Sequence, residues 1–213
     1  MRWLILMIAV SLTAMAPASA REKPILRAGS ETRSPGETRP SKELTRTVIA
    51  TLDENDISLL DGCIADKGLK HGDYAALLRV VKIPAGHGRN LWFVRAADKP
   101  YCVALYGAHL FRYFLIEEQH ANGASSYRVV FQRGGDEIAV YAKQSHGLND
   151  IQTTGCIAIG CRTARWSYDG RQYQPIQCTA GVFDDNGRAV TRPRRCGSDD
   201  GPDDQASGFW PDK

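Results

Sequence analysis

From Leu78 to Gln177 the chain is a succession of short apolar runs separated by turn residues, with no helical stretch between them. Runs rich in Val, Ile, Phe, Tyr and Trp, bounded by Gly, Asn and Asp, read as strands. The predicted strands are Leu78–Ile83, Leu91–Ala96, Tyr101–Tyr106, Leu110–Glu117, Tyr127–Gln132, Glu137–Ala142, Asp150–Thr154, Thr163–Tyr168 and Gln172–Gln177. Asn122-Gly123, Gly134-Gly135 and Asp169-Gly170 punctuate them. Parallel neighbours need long crossover connections, so strands this closely spaced must pair antiparallel. Asp169-Gly170 suits the positive φ angles of a two-residue type I′ hairpin turn. Pro175 has no N–H to give a ladder, which places the last strand at a sheet edge.

Upstream the period changes. Ser41 is positioned to cap a helix whose apolar residues Leu44, Val48, Ile49 and Leu52 recur at helical spacing. Asp53 is positioned to cap a second, carrying Ile57, Leu60, Cys63 and Ile64 on one face and stopping near Gly68. Asp73 to Leu78 adds a short third turn. The expected fold class is α+β: N-terminal helices packed on a meandering antiparallel β-sheet, stabilised by disulfides.

The ends differ from this middle. Met1 to Ala20 has an export signal's three parts: Arg2, the apolar stretch Trp3 to Met15, and the small residues Ala18-Ser19-Ala20 after Pro17. Its apolar run is shorter than the about 20 residues a membrane-spanning helix needs. Residues 21–40 mix both charges with Pro, Gly, Ser and Thr and read as a flexible leader. Residues 197–213, with five aspartates, read as a disordered acidic tail. That leaves 41–196 as a single domain. Without a second apolar run, no transmembrane segment is expected after signal cleavage. The protein should be soluble in the periplasm or secreted.

The chain carries 27 basic and 24 acidic residues, a net charge of +3. A balance so near zero argues against nucleic acid as partner. The six cysteines (Cys63, Cys102, Cys156, Cys161, Cys178 and Cys196) are an even set in an exported chain, which points to disulfides. Six cysteines permit about 15 pairings. Neighbourhood favours Cys63 with Cys102, Cys178 with Cys196 and Cys156 with Cys161. Cys156-x4-Cys161 lacks the spacing of a redox or metal pair. No metal or cofactor is expected.

Ser145-His146-Gly147-Leu148-Asn149-Asp150 places a hydroxyl, an imidazole and a carboxylate within six residues. A turn with local hydrogen bonds to Asp150 accounts for the same residues. His71, His87, His109 and His120 are scattered without metal-ligand spacing. Pro84 to Asn90 resembles a phosphate loop only in its glycines and is read as a hairpin connection. Arg162, Arg165, Arg171, Arg188, Arg192, Arg194 and Arg195 concentrate positive charge before the acidic tail. The aromatic residues Trp92, Phe93, Tyr101, Tyr106, Phe111, Tyr113 and Phe114 would suit either a contact face or a core.

Gly147-Leu148-Asn149-Asp150-Ile151, then Trp166-Ser167-Tyr168-Asp169-Gly170, Tyr173 and Cys178 resemble a C-terminal pattern of small exported bacterial proteins of uncharacterised function. The same shape is similar to half of an FG-GAP/VCBS-type repeat. Calcium-binding repeats of that type carry aspartates before the glycine, where this chain has Ala142-Lys143-Gln144-Ser145-His146. The resemblance implies a periplasmic setting and no calcium.

The sequence thus leads to an exported, non-catalytic binding or inhibitor-like module whose partner is a protein or an envelope component. A small envelope hydrolase using His146 or His87 with Asp150 is the alternative. A structural envelope component tethered by its ends is a third.

Overall fold

A computed structural model of the 213-residue chain describes residues 22–29, 32–86, 88–106, 111–121, 123–157, 160–183, 186 and 188–197. The export-signal residues 1–20, His87, His109, Asn122 and the tail from Ser198 lie outside the described residues. The described residues form ten strands and two α-helices: β1 (Leu26–Gly29), α1 (Lys42–Ile49), α2 (Glu54–Asp66), β2 (Leu78–Pro84), β3 (Asn90–Ala96), β4 (Phe111–Ala121), β5 (Ala124–Gly135), β6 (Glu137–Ser145), β7 (Leu148–Ile157), β8 (Gly160–Tyr168), β9 (Tyr173–Phe183) and β10 (Ala189–Arg194).

Both helices start where side-chain caps allow. Ser41 Oγ accepts from the Leu44 amide and Asp53 Oδ1 from the Asp56 amide, each satisfying a backbone donor that has no intrahelical partner. Short 3₁₀ turns follow at Tyr74–Leu77 and Val103–Leu105.

The expected single meander is two antiparallel sheets. β2-β3-β4-β5 form one, and β1-β6-β7-β8-β9-β10 the other. The chain changes sheet at Asp136, whose amide donates to Thr154 O at 2.9 Å. Gly135 permits that crossing, because a Cβ there would sit 2.8 Å from Tyr113 Oη and 3.1 Å from Thr154 O. Gly134-Gly135 therefore ends a strand, where the sequence suggested a turn.

One apolar core fills the space between the sheets. Phe93, Phe111, Tyr113 and Phe131 meet Ile151, Trp166, Tyr168 and Tyr173 there. A second lies between the four-stranded sheet and the helices: Leu44, Val48, Leu60 and Ile64 against Val94, Phe114 and Ile116. β4 contributes to both, with Phe111, Tyr113 and Leu115 facing one core and Phe114 and Ile116 the other. A strand buried on both faces has no polar alternation, which is why this segment reads as a nearly continuous apolar run.

Three disulfides join Cys63 to Cys102, Cys156 to Cys161 and Cys178 to Cys196. The first fastens α2 to the segment predicted as strand Tyr101–Tyr106. That segment forms a 3₁₀ turn instead, because Cys102 and Leu105 are spent on the helix-side core. Pro175 is not at an edge: β9 lies between β8 and β10, and a bulge opposite Arg165/Trp166 accommodates the missing N–H. The edge is β10, which carries its own Pro193. Asp169-Gly170 opens a four-residue loop, since Tyr168 pairs with Tyr173 and the Asp169 amide donates to Gln172 O at 3.0 Å.

Part of the expected flexible leader is built into the fold. β1 pairs with β6, burying Leu26 and Ala28, and Thr38 bridges to Val80 on the edge of β2. No helix among the described residues is long and apolar enough to cross a membrane.

Candidate functional site

The hexapeptide Ser145–Asp150 forms the β6–β7 hairpin. His146 (φ 49°) and Gly147 (φ 85°) are its two-residue turn, with Ser145 paired to Leu148. Both φ values are positive, as a type I′ turn requires, so Gly147 serves backbone geometry here. Ser145 Oγ donates to Asp150 Oδ1 at 2.7 Å, and Lys143 Nζ stands 3.3 Å from Oδ2. Asp150 is fully buried and His146 is exposed. No hydrogen bond or ion pair joins the His146 ring to Asp150 among the described residues. The hydroxyl and carboxylate meet, and the imidazole does not.

The same end of the molecule is cross-linked between sheets. Buried Glu117 on β4 accepts from Arg128 Nη2 at 2.6 Å and Gln119 Nε2 at 2.9 Å, and Arg89 Nη1 lies 3.2 Å from its other oxygen. Arg128 also donates to Tyr168 Oη at 2.6 Å and to Arg171 O at 3.0 Å, while Arg89 reaches His146 O at 3.3 Å. Pro84 to Asn90 is the β2–β3 connection, with the Gly86 amide donating to Gly147 O at 2.9 Å. These contacts staple the sheets together.

The arginine-rich C-terminal third is spread along the six-stranded sheet. Arg165 pairs with Glu22 at 3.0 Å and stacks on Tyr141, and Arg171 and Arg192 are exposed. All six cysteines are bonded, which leaves no thiol nucleophile. Of the aromatic residues weighed as a contact face, Phe93, Phe111, Tyr113 and Phe114 are buried, and Tyr101 alone is half exposed.

Two arrangements were not foreseen. The first crosses the β4–β5 hairpin, where His120 pairs with Ser125 and Glu118 with Tyr127. Ser125 Oγ lies 3.0 Å from His120 Nδ1, and His120 Nε2 lies 3.6 Å from Glu118 Oε1. Glu118 also accepts from Asn90 at 2.8 Å, Trp92 at 3.1 Å and Tyr127 at 3.3 Å. Burial raises this carboxyl, but the bonds from Trp92 and Asn90 and the charges of Lys82 and His120 outweigh it and hold it below its usual range. The signal was present in the sequence: residues equidistant from Asn122-Gly123 must face each other.

The second is a cleft of about 410 Å³ lined by Arg33, Ser34, Gly36, Glu37, Arg79, Asp98 and Lys99. Two of these, Glu37 and Asp98, are held from behind by Arg95 on β3, which is only 1 % exposed. Arg95 Nε and Nη2 donate to Glu37 at 2.7 and 3.0 Å, and Nη1 and Nη2 to Asp98 at 2.7 and 3.2 Å. Two forked pairs thus clasp one guanidinium, the geometry that strengthens such bonds most. Glu37 belongs to the leader, so this pairing helps hold residues 33–37 over the sheet as a wall of the cleft. Burial would lower the Arg95 pKa, but the bonds to Asp98 and Glu37 raise it above its ordinary value. Asp98 is held below the usual carboxylate range, first by its bond from Arg95 and further by Arg33 at 2.7 Å. Burial beside Asp98 pushes Tyr106 up to about 12. A charged residue inside the apolar run Leu91-Trp92-Phe93-Val94-Arg95-Ala96 was the available clue, because a buried charge requires partners.

Comparison with protein-family models, with curated proteins and with solved structures finds no match to this chain. Among the described residues, no group of three or more His, Cys, Asp or Glu side chains could hold a metal ion.

Proposed function

We propose that the chain is an exported, non-catalytic binding module of the periplasm or the secreted space, and that it binds in the cleft walled by its leader. The observation carrying this reading is the cleft itself, concave, polar and anchored on a buried two-carboxylate clasp around Arg95. Three disulfides suit an oxidising compartment and a scaffold that must keep its shape outside the cytoplasm. The cleft's volume suits a small molecule or a small group of an envelope component. A broad protein-facing surface has less support, since most of the aromatic residues that would have formed it are in the cores.

The test is thermal unfolding of the disulfide-intact protein with the dialysable fraction of an envelope extract. A ligand that binds only the folded state raises the Tm. The rise is expected for wild type and absent for the Arg33→Glu/Lys99→Glu double variant. An unchanged wild-type Tm would count against binding.

The hydrolase alternative draws on one observation, the Ser125–His120–Glu118 contact, which has the order nucleophile, base, carboxylate. Turnover of p-nitrophenyl acetate that disappears in both Ser125→Ala and His120→Ala would move this reading ahead of binding. Turnover indifferent to both variants would remove it.

A further inference from the structure

Resting on the binding reading above, the geometry points to a small, free, multiply charged anion as the ligand of the cleft, one bearing several carboxylate or phosphate oxygens. The argument is an inventory of hydrogen-bonding capacity and charge. Both carboxylates at the site are already engaged. Glu37 Oε1 accepts from Arg95 Nε and from the Ser34 amide at 2.8 Å, and Oε2 accepts from Arg95 Nη2. Asp98 Oδ1 accepts from Arg95 and from Tyr106 Oη at 3.3 Å, and Oδ2 from Arg95 and Arg33. Of the four carboxylate oxygens only Glu37 Oε2 has a single donor among the described residues, so a cationic or hydroxyl-rich ligand finds little acceptor capacity here.

Acceptors on a ligand face the opposite situation. Arg33, Arg79 and Lys99 line the cleft and Arg95 lies buried behind it, so that four cations stand against the carboxylates of Glu37 and Asp98. Among the described residues Arg79 is oriented by carbonyls, donating to Leu78 O at 2.7 Å, Lys99 O at 2.9 Å and Ala76 O at 3.2 Å, and it forms no ion pair with a carboxylate there. The exposed Lys99 ammonium has no hydrogen bond or ion pair among the described residues. Its neighbour in the chain, Asp98, is already committed to two guanidinium groups. Excess positive charge inside a concave wall focuses potential and concentrates anions there. Lys99 and Arg33 line the cleft with exposed side chains, from which a ligand's oxygens can accept. Arg79, held by its three carbonyl contacts, adds a positioned positive charge, and the buried Arg95 adds to the potential from behind.

The experiment is a titration followed by backbone amide NMR on the exported, disulfide-bonded protein. The probes are inorganic phosphate, citrate, neutral trehalose, cationic spermidine and phosphatidylglycerol vesicles. Saturable shifts of Ser34, Glu37, Arg79 and Lys99 amides with phosphate or citrate are expected. Affinity should fall as salt rises, and roughly tenfold in Lys99→Gln, the loss of one charge-assisted hydrogen bond. Arg192→Gln on the distant β10 edge should leave binding unchanged. Saturable shifts at the same amides with trehalose or spermidine, and none with the anions, would overturn the anion and leave the binding reading standing. A response to vesicles alone would place the anionic group on a membrane and overturn a free ligand. Silence at the cleft with every probe would overturn the anion inference, and the extract assay above then decides the binding reading separately.

Discussion

A guanidinium that is 1 % exposed must bring its counter-charges with it, and Arg95 does so with Glu37 from the leader and Asp98 from its own strand's exit. Removing one member of such a group leaves the others buried and unpaired. Arg95→Met should therefore lower unfolding stability by about 3 kcal/mol, whereas Arg33→Ala, whose pair with Asp98 is exposed, should cost under about 1 kcal/mol. Urea denaturation of the two variants checks this, and equal costs would contradict the clasp. Asp98 and Glu118 are both held below their ordinary values of 3.8 and 4.5. The unfolded chain then binds protons more readily than the folded one as acid is added. Their contribution is fully present above pH 4.5 and is lost as pH falls through the lowered folded values. Urea midpoints at pH 6, 4 and 3 should decline, and Asp98→Asn should flatten the decline; an unchanged midpoint would refute the sign. At this scale the sequence drew attention to His146 and Asp150 because they are neighbours in the chain. The clasp joins residues 58 apart, and convergence over that distance leaves no local pattern.

Elements were more legible than sites because their determinants are local. Ser41 and Asp53 cap the helices the spacing predicts, and the apolar runs locate most strands. β1 was missed because Leu26 and Ala28 are its only buried apolar side chains, amid charge and proline, and its stability comes from pairing with β6. β10, Ala-Val-Thr-Arg-Pro-Arg, carries too little apolar alternation to stand out. The opposite error at Tyr101–Tyr106 arose because apolar residues that belong to a helix-side core resemble a strand in sequence. The disulfides act at this scale too. Cys63–Cys102 closes 39 residues and Cys156–Cys161 only 5. Replacing the first pair by serines should cost about 2–4 kcal/mol in thermal unfolding, and replacing the second should cost less, because a short loop restricts the unfolded chain less. The reverse order would show that strain or local packing dominates.

For the whole molecule, the class of fold was accessible and its layering was not. An antiparallel sheet follows from strand spacing, but where a meander splits into two sheets depends on a close approach at Gly135 that no hydrophobic pattern encodes. The change matters for function, since the leader runs from the edge of one sheet, where β1 pairs with β6, to the edge of the other, where Thr38 meets Val80. Between these two anchors it carries Arg33, Ser34 and Glu37 into the cleft. If the leader were loose, there would be no cleft wall and no clasp on Arg95. Amide hydrogen exchange, resolved by residue in the disulfide-intact protein, tests this most directly. The account predicts slow exchange at Ile25 and Thr38, whose amides donate to Val140 O at 2.8 Å and Val80 O at 3.0 Å, at rates approaching those of the strands they join. Exchange at both amides as fast as in an unfolded chain would contradict it, and the proposed binding site would fall with the leader.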